Sequence, residues 1–183
     1  PKTPRRQRQM CIRDSHWFQT DLRLADNPAL SSAQDADSLL CIYLMPKPRP
    51  WCNLTGLGPQ RDRFLRESLQ ELKEQLQTLG QDLMVLEGSP ELVLPTIVDR
   101  FSIDHVTTSY TPGWHENQAI AFLEQKLPAM LSVFRGSTLF DAEQFPFELE
   151  DLSDTFSPFR RKVEKLNISC LLYTSPSPRD RNV

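Results

Sequence analysis

The sequence predicts an α/β fold, a doubly wound parallel sheet of five strands with helices on both faces. Short apolar runs alternate along the chain with segments of helical periodicity, which is typical of βα units. Residues 38–44 are apolar almost throughout, as in a strand that is covered on both faces. Residues 59–79 repeat leucine at steps of three and four, as in an amphipathic helix that packs on a sheet.

The five predicted strands share short apolar or β-branched runs between turn residues. The first lacks its beginning and ends at Phe18, and the others are expected at residues 38–44, 82–86, 105–110 and 130–134.

The predicted helices are bounded by capping residues. Gly80 is expected to end the helix at 59–79 in a left-handed conformation. Ser89 is expected to cap a second helix, which Pro95 is predicted to interrupt. A third helix is expected over residues 115–127, before a proline.

The two ends of the chain resemble translated sequencing-adapter DNA. The DNA string ATGTGTATAAGAGACAG would encode residues 10–15, and the string TGTCTCTTATACACATCT would encode residues 170–175. The two strings are reverse complements over their shared length. We therefore interpret residues 1–15 and 169–183 as adapter-derived artefacts, the alternative being natural disordered tails.

Composition narrows the class of protein. Without those ends the chain keeps 14 basic and 22 acidic residues, a net charge of −8, which argues against a broad nucleic-acid-binding face. Cys41 and Cys52 alone predict neither a disulfide framework nor a zinc site. No apolar run would span a bilayer and no secretory signal is present, so a soluble, cytoplasmic protein with no membrane partner is expected.

Motifs for enzyme chemistry are not found in the sequence. There is no G-x-G-x-x-G or P-loop run, no metal-ligand spacing among the three histidines, and no Ser-His-Asp or Cys-His set. No catalytic residue and no metal site are predicted.

Residues 17–30, WFQTDLRLADNPAL, resemble the W-F-x-x-D-L-R-L-x-D-N-P-A-L motif that opens DNA photolyases and cryptochromes. The family often has Arg and His where this chain has Gln19 and Ala25. Further segments in the same order resemble the family and its DASH-type cryptochromes; they are residues 58–69, 80–88, 136–140, 145–147 and 156–164.

The resemblance implies a domain organisation. Residues 16–150 would be the family's Rossmann-like N-terminal domain, which binds an antenna chromophore. Residues 151–168 would begin the connector to an FAD-binding helical domain that this chain lacks, so the fold would be truncated at both ends.

The resemblance also implies an activity for the intact protein. It would be a blue-light-absorbing DASH cryptochrome or deoxyribodipyrimidine photolyase. Excitation would pass from methenyltetrahydrofolate, or a deazaflavin, to FAD for repair of cyclobutane pyrimidine dimers in damaged, single-stranded DNA. The fragment alone is expected to be inactive. Two alternatives stay open, namely a signalling photoreceptor without repair activity and a non-photoactive nucleotide- or partner-binding module.

Glu116 is the first candidate for the antenna site, with His115 beside it. Both follow the fourth predicted strand, at the carboxyl edge where open α/β sheets bind ligands. A carboxylate accepts paired hydrogen bonds from the N–H groups of a pterin, and the resemblance implies this role for Glu116. His115 would donate a further bond. The alternatives are that Glu116 only offsets the helix dipole and that His115 is solvated.

Three other groups have a structural and a functional interpretation. Asp21, Arg23 and Asp26 form either an ion-pair network, which is favoured, or part of a ligand cleft. Trp51 and Trp114 either pack or stack on a chromophore. The basic run Arg160, Arg161, Lys162 and Lys165 is either a solvated helix face or a guide for DNA.

Overall fold

Five parallel strands form one sheet in a computed structural model that describes residues 13–46, 56–138 and 144–164. The strands are β1 (Arg13–Phe18), β2 (Ser38–Met45), β3 (Leu83–Glu87), β4 (His105–Ser109) and β5 (Leu131–Phe134). Their order across the sheet is β3-β2-β1-β4-β5, so the chain winds outward from β1 in one direction and then crosses to its other side. The predicted α/β class and its parallel sheet are confirmed.

Among the described residues, four helices connect successive strands and a fifth follows β5. They are α1 (Pro28–Ser31), α2 (Pro59–Thr78), α3 (Pro90–Phe101), α4 (Trp114–Lys126) and α5 (Phe156–Val163). The chain divides into two compact units, Pro1–Ser137, which contains the sheet, and Thr138–Val183, which contains α5 and a short 3-10 turn at Leu149–Asp151.

The sheet is covered on both faces by separate apolar cores. On one face α3 and α4 contribute Leu94 and Leu123, which pack with Val106 of the sheet. On the other face α2 contributes Leu72, which packs with Phe18 and other side chains of the sheet. Burial of the apolar side chains of these two cores stabilises the layered arrangement of helices on the sheet.

Capping interactions are present at one end of α1 and of α2. Asn27 Oδ1 accepts a hydrogen bond from Leu30 N at 3.0 Å, which satisfies a free donor at the start of α1. After α2, Gly80 has φ +78° and its N–H donates to Gln77 O, while Gln81 N donates to Leu76 O, both at 3.0 Å. This is the Schellman arrangement, which requires the left-handed backbone that glycine adopts without strain.

The predicted interruption at Pro95 is wrong. Helix α3 runs unbroken from Pro90 to Phe101 with Pro95 inside it. The apolar residues on either side of Pro95, Leu94 and Ile97, are both buried in the core, so their packing holds the helix together across a position that lacks a donor.

The first strand has six residues and includes three that the sequence assigns to the adapter-derived end. Arg13, Asp14 and Ser15 pair with residues 38–40 of β2. The side chains of Asp14 and Ser15 are buried, and Asp14 Oδ1 and Ser15 Oγ have no hydrogen-bond partner among the residues that the structure describes. Polar side chains therefore occupy a part of the strand where apolar ones would pack.

No helix within residues 13–46, 56–138 and 144–164 combines the length and the apolar character needed to cross a membrane.

Candidate functional site

A cavity of about 460 Å³ lies at the carboxyl edge of the sheet in the first unit. It is bounded by the ends of β1 and β2 and by the first turns of α2, α3 and α4. The side chains that define its chemistry are Trp17, Phe18, Gln19, Tyr43, Leu44, Arg61, Phe64, His115, Glu116 and Ala119. Ligands of open α/β sheets bind at this edge, because the loops and the helix N-termini meet there.

The floor of the cavity is apolar. Trp17, Phe18 and Leu44 come from the sheet and are buried. Phe64 of α2 lies in the wall with 70% of its surface exposed. An apolar floor with a few polar groups at its edge is typical of sites for planar organic ligands.

Both predicted site residues line this cavity. Gly113 is the N-cap of α4, so His115 and Glu116 are its second and third residues, on the first turn. The Glu116 carboxylate folds back over Gly113, toward the positive end of the helix. The His115 ring packs edge-on against Trp114, with ring centroids 4.9 Å apart.

Of the two candidate tryptophans, Trp114 lies among the described residues and Trp51 does not. Trp114 has 69% of its surface exposed and is not among the residues that line the cavity within the described part of the chain. The packing interpretation does not fit Trp114, because its only described ring contact is with His115.

Gln19 is a cavity residue that the sequence did not single out as a site. Its Nε2 donates to Thr108 Oγ1 at 2.9 Å and to Ser109 O at 2.8 Å, and these bonds join the end of β1 to the end of β4. Thr108 Oγ1 in turn donates to Trp17 O at 2.9 Å. These bonds fix the Gln19 amide at the edge of the cavity.

Tyr43 and Arg61 bring further polar groups to the cavity. Burial raises the pKa of the Tyr43 hydroxyl, an effect that the charge of Arg61 partly opposes, so Tyr43 is a neutral donor near pH 7. Arg61 is the one lysine or arginine among the described residues that line the cavity. Its charge lies on α2, whereas the Glu116 carboxylate lies on α4.

The charged loop after β1 has a structural role, but hydrogen bonds hold it more than the ion-pair network that the sequence favoured. Arg23 donates to Asp26 O at 2.8 and 3.0 Å and to Gly136 O at 2.9 Å, and the Asp21 carboxylate accepts from Ser109 Oγ. The Arg23–Asp26 ion pair at 3.7 Å is exposed and adds little stability. These bonds tie the loop to the ends of β4 and β5.

The basic run of α5 is engaged within its own unit. Arg160 Nε pairs with Glu164 Oε2 at 3.1 Å, and Lys162 Nζ lies 4.6 Å from the centre of the Phe147 ring. Lys165 lies outside the described residues. These local contacts favour the solvated-face interpretation over a guide for DNA.

The described residues contain no cluster of three or more His, Cys, Asp or Glu side chains that would hold a metal ion.

Comparison with known proteins assigns the family. The model of the DNA photolyase family matches residues 15–179 of this chain. The chain belongs to the DNA photolyase family. Among curated relatives of this photolyase-family chain, the DASH cryptochrome of Idiomarina loihiensis is 35% identical over 158 residues, which cover 82% of this chain and 34% of the relative. The blue-light photoreceptor PHR2 of Arabidopsis thaliana is 34% identical and covers 83% of this chain and 36% of the relative.

Solved structures agree with this assignment. The crystal structure of a Synechocystis cryptochrome superposes with a TM-score of 0.77 at 30% identity, covering 86% of this chain and 35% of that one. A class III photolyase from Agrobacterium tumefaciens superposes with a TM-score of 0.73 at 22% identity and supports the fold. The chain thus spans about a third of the length of these relatives.

Proposed function

We propose that this photolyase-family domain binds an antenna chromophore of the reduced-folate type in the cavity at the carboxyl edge of its sheet. The observation that carries the proposal is the position of Glu116, which is one of the residues that line a mostly apolar cavity.

The cavity residues fit such a ligand in three respects. A volume of about 460 Å³ is within the range of sites that hold drug-sized molecules. The apolar lining, with the exposed Phe64 ring in its wall, suits a flat ring, and Glu116 is an acceptor for the paired N–H groups of a pterin. Arg61 would attract the carboxylates of a folate tail. A deazaflavin, which also has a flat ring system, is the alternative antenna.

In the whole protein, FAD bound outside this domain would supply the electron that splits a cyclobutane pyrimidine dimer in single-stranded DNA. The role of this domain would be to hold the antenna, exclude water from its ring and keep it at a fixed place. A repair lyase is therefore proposed for the whole protein, and no lyase step is assigned to residues of this chain.

A signalling photoreceptor is the second candidate for the whole protein. The relative from Arabidopsis thaliana is named a blue-light photoreceptor, at 34% identity. Antenna binding by this domain would serve either role, so the proposal for the cavity does not depend on the choice.

Titration of the chain with methenyltetrahydrofolate tests the proposal. We expect saturable binding with a red-shifted absorption band, because the apolar cavity replaces the water around the ring. The Glu116→Gln variant should bind at least tenfold more weakly, since it loses a charge-assisted pair of hydrogen bonds that is worth about 1.5–3 kcal/mol. Glu124→Gln, on an exposed position of the same helix, is the matched control and should bind like the original chain. A folded chain that shows no saturable binding would contradict the proposal.

A further inference from the structure

Gly113 lies three residues before Glu116 and caps the N-terminus of α4. We propose that Gly113 is a positioning residue for the antenna site, because the missing side chain leaves the space into which the Glu116 carboxylate folds. This inference rests on the proposed folate site and adds a residue that sets its geometry.

The backbone does not explain why position 113 is a glycine. Gly113 has φ −69° and ψ 140°, an extended conformation that any residue adopts. Gly58, the N-cap of α2, has nearly the same conformation, with φ −67° and ψ 157°. Neither residue makes a side-chain cap bond, so the two positions are equivalent in backbone terms.

The surroundings of the two glycines differ. A Cβ atom added at Gly113 would overlap the Glu116 Oε2 atom and lie 2.8 Å from its Cδ. A Cβ atom added at Gly58 would have nothing within 4 Å. Any other residue at position 113 therefore displaces the carboxylate. Because the displaced group is the end of a flexible side chain, the helix itself need not move.

The space above Gly113 has a consequence for binding. A glutamate on an exposed first turn has several rotamers, and most of them point into solvent. The folded-back position keeps the carboxylate near the positive end of α4, on a residue that lines the cavity. An acceptor that is already in place binds a ligand more tightly than one that must be ordered first.

The test compares Gly113→Ala with Gly58→Ala in the full chain, by titration with methenyltetrahydrofolate. Both variants put alanine at an N-cap, so both should lose similar thermal stability. We expect Gly113→Ala to lose about tenfold in affinity and Gly58→Ala to lose less than twofold. Gly113→Ser has a side chain that can cap α4, but it has the same added Cβ atom as Gly113→Ala. It should therefore also bind methenyltetrahydrofolate weakly.

A double-mutant cycle separates positioning from a general structural effect. If Gly113 acts through Glu116, then Gly113→Ala should cause no further loss of affinity in the Glu116→Gln background. If the two losses multiply, or if Gly113→Ala binds like Gly58→Ala, the inference is overturned while the folate site stands.

A measurement without ligand distinguishes failure of this inference from failure of the proposed function. The carboxyl carbon-13 NMR signal of Glu116, assigned from the Glu116→Gln variant, should shift in Gly113→Ala and stay unchanged in Gly58→Ala. That result supports the positioning role even in a chain that binds no methenyltetrahydrofolate, in which case only the proposed ligand is wrong. An unchanged signal in Gly113→Ala overturns the inference whatever the chain binds.

Discussion

His16 is a fully buried titratable residue in the centre of the sheet. Its Nδ1 is 2.9 Å from Thr107 Oγ1, and its ring meets Phe18 edge-on with centroids 4.3 Å apart. Burial lowers the pKa of His16 to about 4, although the charge of Asp21 acts in the opposite direction. The folded protein therefore holds this imidazole in its neutral form near pH 7.

A dependence of stability on pH follows from this shift. The pKa of His16 falls from 6.5 in the unfolded chain to about 4, so between those values the unfolded chain binds the extra proton. The contribution of the neutral His16 to the unfolding free energy is fully present above pH 6.5 and is lost as the pH falls toward 4. The loss is on the order of 3 kcal/mol of unfolding free energy, at about 1.4 kcal/mol per pH unit.

Urea denaturation of the original chain and of His16→Gln, at several pH values from 7.5 to 4.5, measures this effect. The original chain should lose stability more steeply than the variant over that range. His115→Gln, which changes an exposed histidine, is the control and should keep the original slope. If the original chain and His16→Gln have equal slopes, burial of His16 does not cause the pH dependence of stability.

Single residues of the site were predictable to different degrees. Glu116 and His115 lie in the short segment that follows a predicted strand, so the edge of the sheet to which they belong could be predicted from the sequence. Gln19, Tyr43 and Arg61 come from three separate elements, and only the packing of those elements brings them to one cavity. A signal for Gln19 and Tyr43 was available, because both lie at or near the carboxyl end of a predicted strand.

Strand β1 contains a weak point at Asp14. Burial raises the pKa of this carboxyl; the charge of His105 lowers it and that of Asp104 raises it. An acid with a raised pKa in the folded state weakens that state once it ionises, and this effect disappears as the pH falls through the folded-state pKa. Ionisation of Asp14 is therefore unfavourable in the folded strand.

Asp14→Val should raise the unfolding free energy by about 1 kcal/mol at pH 7, because it removes a buried acceptor without a partner and suits a strand. The gain should shrink as the pH falls through the pKa of Asp14. Thermal and urea denaturation measure both. Asp35→Val, at an exposed position in the turn after α1, should change stability by less than about 0.5 kcal/mol. A loss of stability in Asp14→Val would show that the carboxylate has a favourable role.

Helices and strands were predictable where periodicity and caps agree. Leu69, Leu72 and Leu76 of α2 are buried on one face, as their spacing predicts, and Gly80 ends that helix region as expected. Pro95 shows the limit of local rules. A proline alone predicts a break, but the burial of its neighbours depends on contacts with the sheet that the local sequence does not contain.

At the scale of the whole molecule, the alternation of strands and helices was enough to predict a parallel sheet, because parallel strands need crossover connections. The order β3-β2-β1-β4-β5 adds what the alternation does not contain, namely which strand ends are neighbours. That order brings the first turns of α2 and α4 to the same cavity, although they lie more than fifty residues apart in sequence. The cavity is thus a property of the topology.

The central claim is that a folate antenna occupies this cavity, and methyl NMR spectra of the chain with and without methenyltetrahydrofolate test it most directly. We predict that the shifted signals include the methyl groups of Leu44, Leu65 and Ala119, which line the cavity. The methyl groups of Val98 and Leu127 belong to the core and are not in that lining, so they should shift little. Shifts confined to methyl groups outside the cavity, or none at saturating ligand, would contradict the claim.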